Sequence, residues 1–230
     1  MDKLLNLDVY SPLDLSLFGI CCIFWFLVYI NVIVNIIRHK VVEIPVAAVV
    51  ANFSWEVLWS WCYHTNLGEL FQLGYRIWFF MDIFILYSIF KYGHKQFQLE
   101  PFKKQAVVIT SFGLAFWMIG LYFLIPEHDT DGFGAFSAYL INTYMSAFYC
   151  YQIIRQPEFA ISKVNGWFKM IGTAGCSAMV YNHFWDIPGY KGLMALCAIT
   201  FILDVFYIYL KYKTVEERNT EGKLEYVLKV

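Results

Sequence analysis

Three carboxyls and three side-chain amides interrupt long apolar runs of this chain: Glu56, Asp82 and Asp204, and Asn52, Asn142 and Asn182. An ionisable group at bilayer depth costs about 2.5–3.5 kcal/mol on insertion scales, so it turns toward a bundle interior or cavity and carries function. Helical periodicity gathers aromatic rings onto the same faces. Asn52, Glu56, Trp59 and Tyr63 share one stripe, and Tyr75, Trp78 and Asp82 a second. Tyr139, Asn142, Ser146 and Tyr149 form a third, and Thr200, Asp204 and Tyr207 a fourth.

That combination suits acid chemistry on a greasy substrate. A carboxylic acid in a dry pocket without a cationic partner keeps its proton near neutral pH, which makes Glu56 the candidate acid. It can then protonate a weak base such as an epoxide oxygen or an alkene. The cation that follows must be shielded from water and stabilised without being trapped. Faces of Trp, Tyr and Phe do this, at about 2 kcal/mol or more each when desolvated. A second carboxyl, Asp204 or Asp82, would hold the acid in place, relay protons or accept the last one. Aromatic stripes also serve as membrane packing or interfacial belts, so the rings gain meaning only from the carboxyls beside them.

Other chemistries lack their residues. No D-D-x-x-D cluster is present to hold magnesium and a diphosphate, and no D-x-D-D motif of soluble proton-initiated cyclases. No H-E-x-x-H, G-x-S-x-G, phosphate-loop or G-x-G-x-x-G pattern occurs. His39, His64, His94, His128 and His183 are scattered, so no metal site and no cofactor is expected. Cys21, Cys22, Cys62, Cys150, Cys176 and Cys197 all lie in apolar runs and read as packing residues.

The elements that must position these groups are membrane helices. The chain is 60% hydrophobic and only 15% charged over 230 residues, whereas soluble domains are about 45–50% apolar and about 25% charged. A net charge of −1 suggests no nucleic-acid partner. The expected fold is all-α: residues 1–230 as one domain, an integral membrane bundle of seven transmembrane helices. The spans run over residues 13–37, 44–64, 71–90, 104–125, 133–154, 166–185 and 191–212, with the six prolines at or outside their ends. No cleavable signal peptide is evident, and the first span is expected to be retained.

Basic residues set the direction. Fourteen Lys and Arg, among them Arg38, Lys91, Lys104, Arg155, Lys163, Lys169, Lys213, Lys223 and Lys229, fall on the side of the C-terminus. Only Lys3, Arg76 and Lys191 fall on the other. The C-terminus is therefore expected in the cytoplasm and the N-terminus outside. The loop with Glu127, Asp129 and Asp131 then faces the exterior, read as a solvated acidic loop in preference to a cation site. With about 1.5 Å of rise per residue, the polar groups of five helices reach the middle of the bilayer.

Four motifs carry a resemblance. They are Asn52-Phe53-Ser54-Trp55-Glu56, Arg76-Ile77-Trp78 with Asp82, Asn182 with Trp185-Asp186, and Leu203-Asp204-Val205-Phe206-Tyr207. In type, order and span count the whole chain resembles the small membrane-bound terpene cyclases of fungal meroterpenoid and indole-diterpene pathways and their bacterial relatives. The resemblance implies a cofactor-independent cyclase in which Glu56 and Asp204 open a terminal epoxide and start cyclisation of a prenyl chain. It implies a hydrophobic isoprenoid substrate delivered by the lipid bilayer, in the endoplasmic reticulum of a fungus or the cytoplasmic membrane of a bacterium. Asn52, Trp55, Trp59, Tyr63, Trp78, Asp82, Asn142, Asn182 and Tyr207 are then expected to bind the substrate.

A small-molecule transporter is the rival reading, because carriers also place polar groups at the midplane. It would show repeats or Gly/Pro-broken helices, and the sequence has neither. A retinal protein would need a lysine deep in the last helix, where Asp204 stands instead. For single residues a structural role stays open. Asp82 could bond a neighbouring helix or Arg76, Asp186 could cap the turn at Pro188, and Asn142 and Asn182 could be interhelical glue.

Overall fold

The computed structural model describes residues 3–218 and 224–228. Its body is helical. α1 (Pro12–His39) opens with a capping box: Ser11 Oγ accepts from the Asp14 amide at 3.1 Å, and Asp14 returns the bond to the Ser11 amide at 3.0 Å. It ends at Lys40, whose left-handed backbone stops the helix. α2 (Val46–Val57) starts after Pro45 and runs into a π turn over Leu58–Cys62. α3 (Glu69–Tyr92), α4 (Glu100–Lys104), α5 (Ala106–His128), α6 (Ala135–Arg155), α7 (Lys163–Phe184) and α8 (Lys191–Lys213) follow. A two-stranded antiparallel hairpin, Thr214–Arg218 with Leu224–Leu228, comes after α8.

Among the described residues there are eight α-helices, one more than the seven spans expected, the extra one being the five-residue α4 in the loop before α5. Among the described residues four segments are long and apolar enough to cross a membrane: Pro12–His39, Glu69–Gln96, Ala106–His128 and Lys191–Lys213. α2 is too short before its π turn. α6 and α7 are diluted by Asn142, Thr143, Ser146 and Gln152, and by Asn165, Lys169, Thr173 and Asn182. α5 shows large apolar side chains outward, Phe112 at 74% and Phe123 at 70% exposed, as a lipid-facing helix does. It also runs through Pro126 in its last turn, beyond the expected end.

α7 lies along α1, and small residues allow the approach: a Cβ on Gly172 would sit 2.9 Å from the Trp25 ring. α6 packs against α2 on one side and α8 on the other. At one end of the bundle, residues 3–11 are knitted to the loop before α3. The Asn6 amide donates to Leu67 O and the Glu69 amide to Lys3 O, both at 3.0 Å. Tyr10 Oη reaches Asn66 Oδ1 at 2.7 Å and Asp131 O at 3.2 Å. At the other end, the Gln96 side chain braces the chain entering α2 by bonding Val42, Ile44 and Val46.

Two expectations change here. The loop between α5 and α6 is not simply solvated. Asp131 is buried and accepts bonds from the amides of Phe133, Ala135 and Phe136, capping the start of α6. Lys169 does not sit at the membrane edge with the other basic residues but inside α7, buried. Lys223 and Lys229 lie outside the described residues.

Candidate active site

The bundle core holds a chamber of about 110 Å³, several times the roughly 10–15 Å³ that seats one water molecule. Eight of its nineteen lining residues carry rings, among them Phe18, Trp25 and Tyr29 from α1, Trp55 from α2, and Tyr75 and Trp78 from α3. Phe133, Tyr139 and Thr173 continue the lining from the α6 and α7 side. Glu56 turns into this chamber from α2 and is 4% exposed. Its Oε2 is buried and receives no hydrogen bond among the described residues. A buried acceptor with no donor costs about 1–3 kcal/mol; Glu43 and Asp204 each hold such an oxygen too, but of these three carboxyls Glu56 is the one that lines the chamber.

One turn along the same face of α2, Asn52 reaches from the chamber toward α3. Its Nδ2 donates to Asp82 Oδ2 and to Tyr29 Oη, both at 2.7 Å. Tyr29 Oη donates in turn to Asp82 Oδ2 at 3.3 Å. Asn52 thus links Asp82 to the chamber that Glu56 lines. Asp82 is 3% exposed and lines a smaller pocket that shares Trp25, Tyr29, Asn52 and Met145 with the chamber.

The expected partnership of Glu56 with Asp204 is not built. Asp204 is absent from the chamber wall. Its Oδ1 accepts from Lys169 Nζ at 2.6 Å and from Ser146 Oγ at 2.8 Å, while Oδ2 has no partner among the described residues. Lys169 satisfies a buried carboxylate that would otherwise be alone, and its ammonium lies 5.6 Å from the Trp25 ring.

Of the other expected binding residues, the chamber collects Asn52, Trp55, Trp78 and Asn142. Asn142 Nδ2 donates to Thr173 Oγ1 at 3.1 Å, and its buried Oδ1 has no partner among the described residues. Trp59 stacks on Trp55 behind the wall, 6.0 Å between ring centres. Gly134 lets it sit there: with φ at +81°, a Cβ would come 2.5 Å from the Trp59 ring. Tyr63 falls away, because the π turn inserts a residue into the stripe and Tyr63 is already extended. Its hydroxyl donates to Tyr122 O instead. Asn182 ties α7 to the start of α1, donating to Asp14 at 2.7 Å. Tyr207 is buried beside Tyr149 and donates to Ile161 O at 2.9 Å.

Sequence reasoning missed the α1 wall. Its signal was present: Phe18, Cys21, Trp25 and Tyr29 are spaced as one helical face, but only Tyr29 is polar and α1 holds no buried acid at that depth. Among the described residues no group of His, Cys, Asp and Glu could hold a metal ion.

The sequence model of the Pyr4-like transmembrane terpene cyclases matches residues 9–218. A curated relative, the Pyr4-family terpene cyclase mfmH of Annulohypoxylon moriforme, is 22% identical over 173 residues, covering 74% of this chain and 69% of the relative. No solved structure matches the chain.

Proposed function

The chain belongs to the Pyr4-like transmembrane terpene cyclases, and from that premise we propose that it cyclises a terminally epoxidised prenyl chain of an isoprenoid or meroterpenoid, with Glu56 as the general acid. The observation that supports this most directly is the unclaimed carboxyl oxygen of Glu56 inside a ring-walled chamber. Glu56 gives its proton to the epoxide oxygen, the C–O bond breaks, and the alkene electrons close the ring. Trp25, Trp55, Tyr75 and Trp78 stabilise the moving cation. A proton finally leaves the substrate to a carboxylate, so the reaction is an isomerisation that consumes no redox equivalent and calls on no cofactor.

In this reading Asp82, and not Asp204, is the second carboxyl near the acid. Asn52 and Tyr29 hold it and connect it to the chamber. Asp204 contributes through its bond to Lys169, whose ammonium stands behind Trp25. α2 with its π turn, α6 and α7 also cross the bilayer, turning their polar faces inward, so that seven spans leave the N-terminus outside and the C-terminus in the cytoplasm. Neither the family nor the relative is a transporter, and the transporter reading has no support.

The direct assay incubates membranes carrying the protein with epoxidised prenyl substrates and looks for isomeric products of unchanged mass. Glu56→Gln, expressed to the same level, is expected to give none. Full activity in that variant rules out the acid role.

A further inference from the structure

We propose that Asp129 and Ser137 are positioning residues that fix the Trp55 indole in the chamber wall from the loop between α5 and α6. The proposal deepens the cyclase reading and rests on it for its catalytic consequence. Ser137 lies in the first turn of α6 and is fully buried. Its amide donates to Asp129 Oδ1 at 2.7 Å and its hydroxyl to Asp129 Oδ2 at 2.5 Å. The same hydroxyl accepts the Trp55 Nε1 hydrogen at 2.7 Å.

A hydroxyl has one hydrogen and two lone pairs. While Asp129 takes the hydrogen, a lone pair is oriented toward Trp55. The indole N–H is a single donor, and this bond uses it; the other contacts of the ring are edges and faces. A ring so fixed is held at one angle to the substrate, and misplacing a group beside the reacting atoms slows a reaction disproportionately. The chain thus runs from an acidic loop to the chamber wall across two helices and one hydroxyl.

Asp129 also makes the anchor sensitive to pH. Burial, and then the charge of Asp131, push its carboxyl up to about 7. The titratable groups around it are Asp131 on the same loop, Tyr63 after the π turn, and its sequence neighbours Glu127 and His128. Among the described residues no lysine or arginine forms an ion pair with it, and Trp59, whose indole N–H is unpartnered there, lies close by. Once protonated, Asp129 is itself a donor and no longer commits the Ser137 hydrogen.

The test uses the full-length protein in detergent micelles, labelled with 15N-tryptophan, with the Trp55 Nε1–H signal assigned by its loss in Trp55→Phe. Between about pH 5 and about pH 9 the signal is expected to titrate with a midpoint near neutrality. It should move at all pH values in Ser137→Ala and lose its titration in Asp129→Asn. Ser137→Ala should also lower kcat about tenfold, the equivalent of one lost hydrogen bond, with Ser137→Thr restoring most of it. A signal unchanged in Ser137→Ala, or still titrating in Asp129→Asn, overturns the anchor. A moved signal with unchanged kcat overturns the positioning role. Because the spectroscopy uses no substrate, it stands even if the Glu56 assay finds no cyclisation.

Discussion

Lys169 Nζ lies 2.6 Å from Asp204 Oδ1, tying α7 to α8 with both side chains at most 4% exposed. Breaking a buried ion pair leaves a lone charge and typically costs about 3–5 kcal/mol, while replacing both partners with apolar groups is often neutral. Lys169→Met is therefore expected to lower stability by about that amount. The double variant Lys169→Met, Asp204→Leu should recover most of it. Thermal unfolding in detergent over the full double-mutant cycle checks this; equal loss in single and double variants would show that the pair is not the unit of stability.

Asp204 and Asp82 differ in what surrounds them, and that difference predicts different kinetics. Asp82 is held by Asn52 and Tyr29 beside the chamber. Asp82→Asn is expected to lower kcat about 100-fold, in the range of general acid–base contributions. Its unfolding temperature should change little, since the amide still accepts from Asn52. Asp204→Asn is expected to lower stability first and activity in proportion. Kinetics and melting measured on the same samples separate the two, and the reverse pattern would return the second-carboxyl role to Asp204.

Glycine at position 134 combines a left-handed backbone with a ring packed against its α-carbon. Gly134→Ala strains the turn by about 1–3 kcal/mol and drives a methyl group into Trp59, which stacks on Trp55. Lower melting temperature together with reduced cyclisation is the expected result. Unchanged activity would mean that Trp59 does not back the chamber wall.

Asp129 also imprints a pH dependence on stability. Its folded carboxyl is raised to about 7 from an ordinary 3.8, first by burial and then by Asp131. Between those two values the folded chain binds more protons than the unfolded chain, so this group makes stability fall as pH rises through that window. Asp129→Asn should flatten the slope and leave the variant relatively more stable than the parent at pH values above the window. Parallel melting curves for parent and variant across the whole range would contradict the burial of this carboxyl.

Much of the fold is legible in the order of the residues. Runs of about 20 apolar residues mark membrane helices, four of them long and apolar enough among the described residues, and the expected starts at residues 44, 133 and 166 fall within a few residues of the observed ones, where Pro45, Gly134 and Ser162 mark them chemically. Glu56 is legible too: an acid flanked by Trp55 and Trp59 in an apolar run has few uses other than a buried one.

What the chain alone leaves open is which polar group meets which. Depth along a helix follows from counting residues, but direction around the axis depends on neighbouring helices, and on the π turn that displaces Tyr63 from its stripe. Lys169 reads as one more basic residue near a membrane edge, since only packing of α7 against α8 reveals a buried carboxylate waiting for it. Asp129 reads as solvated for the same reason: the loop folds back onto the first turn of α6, and that contact is between residues of the folded chain. Sequence determined that this protein would bury acids among rings in a bilayer. Tertiary structure decided that Asn52 ties Asp82 to the chamber lined by Glu56 and that Asp204 belongs to a lysine, because pairing is a property of distances across helices and not of spacing along one.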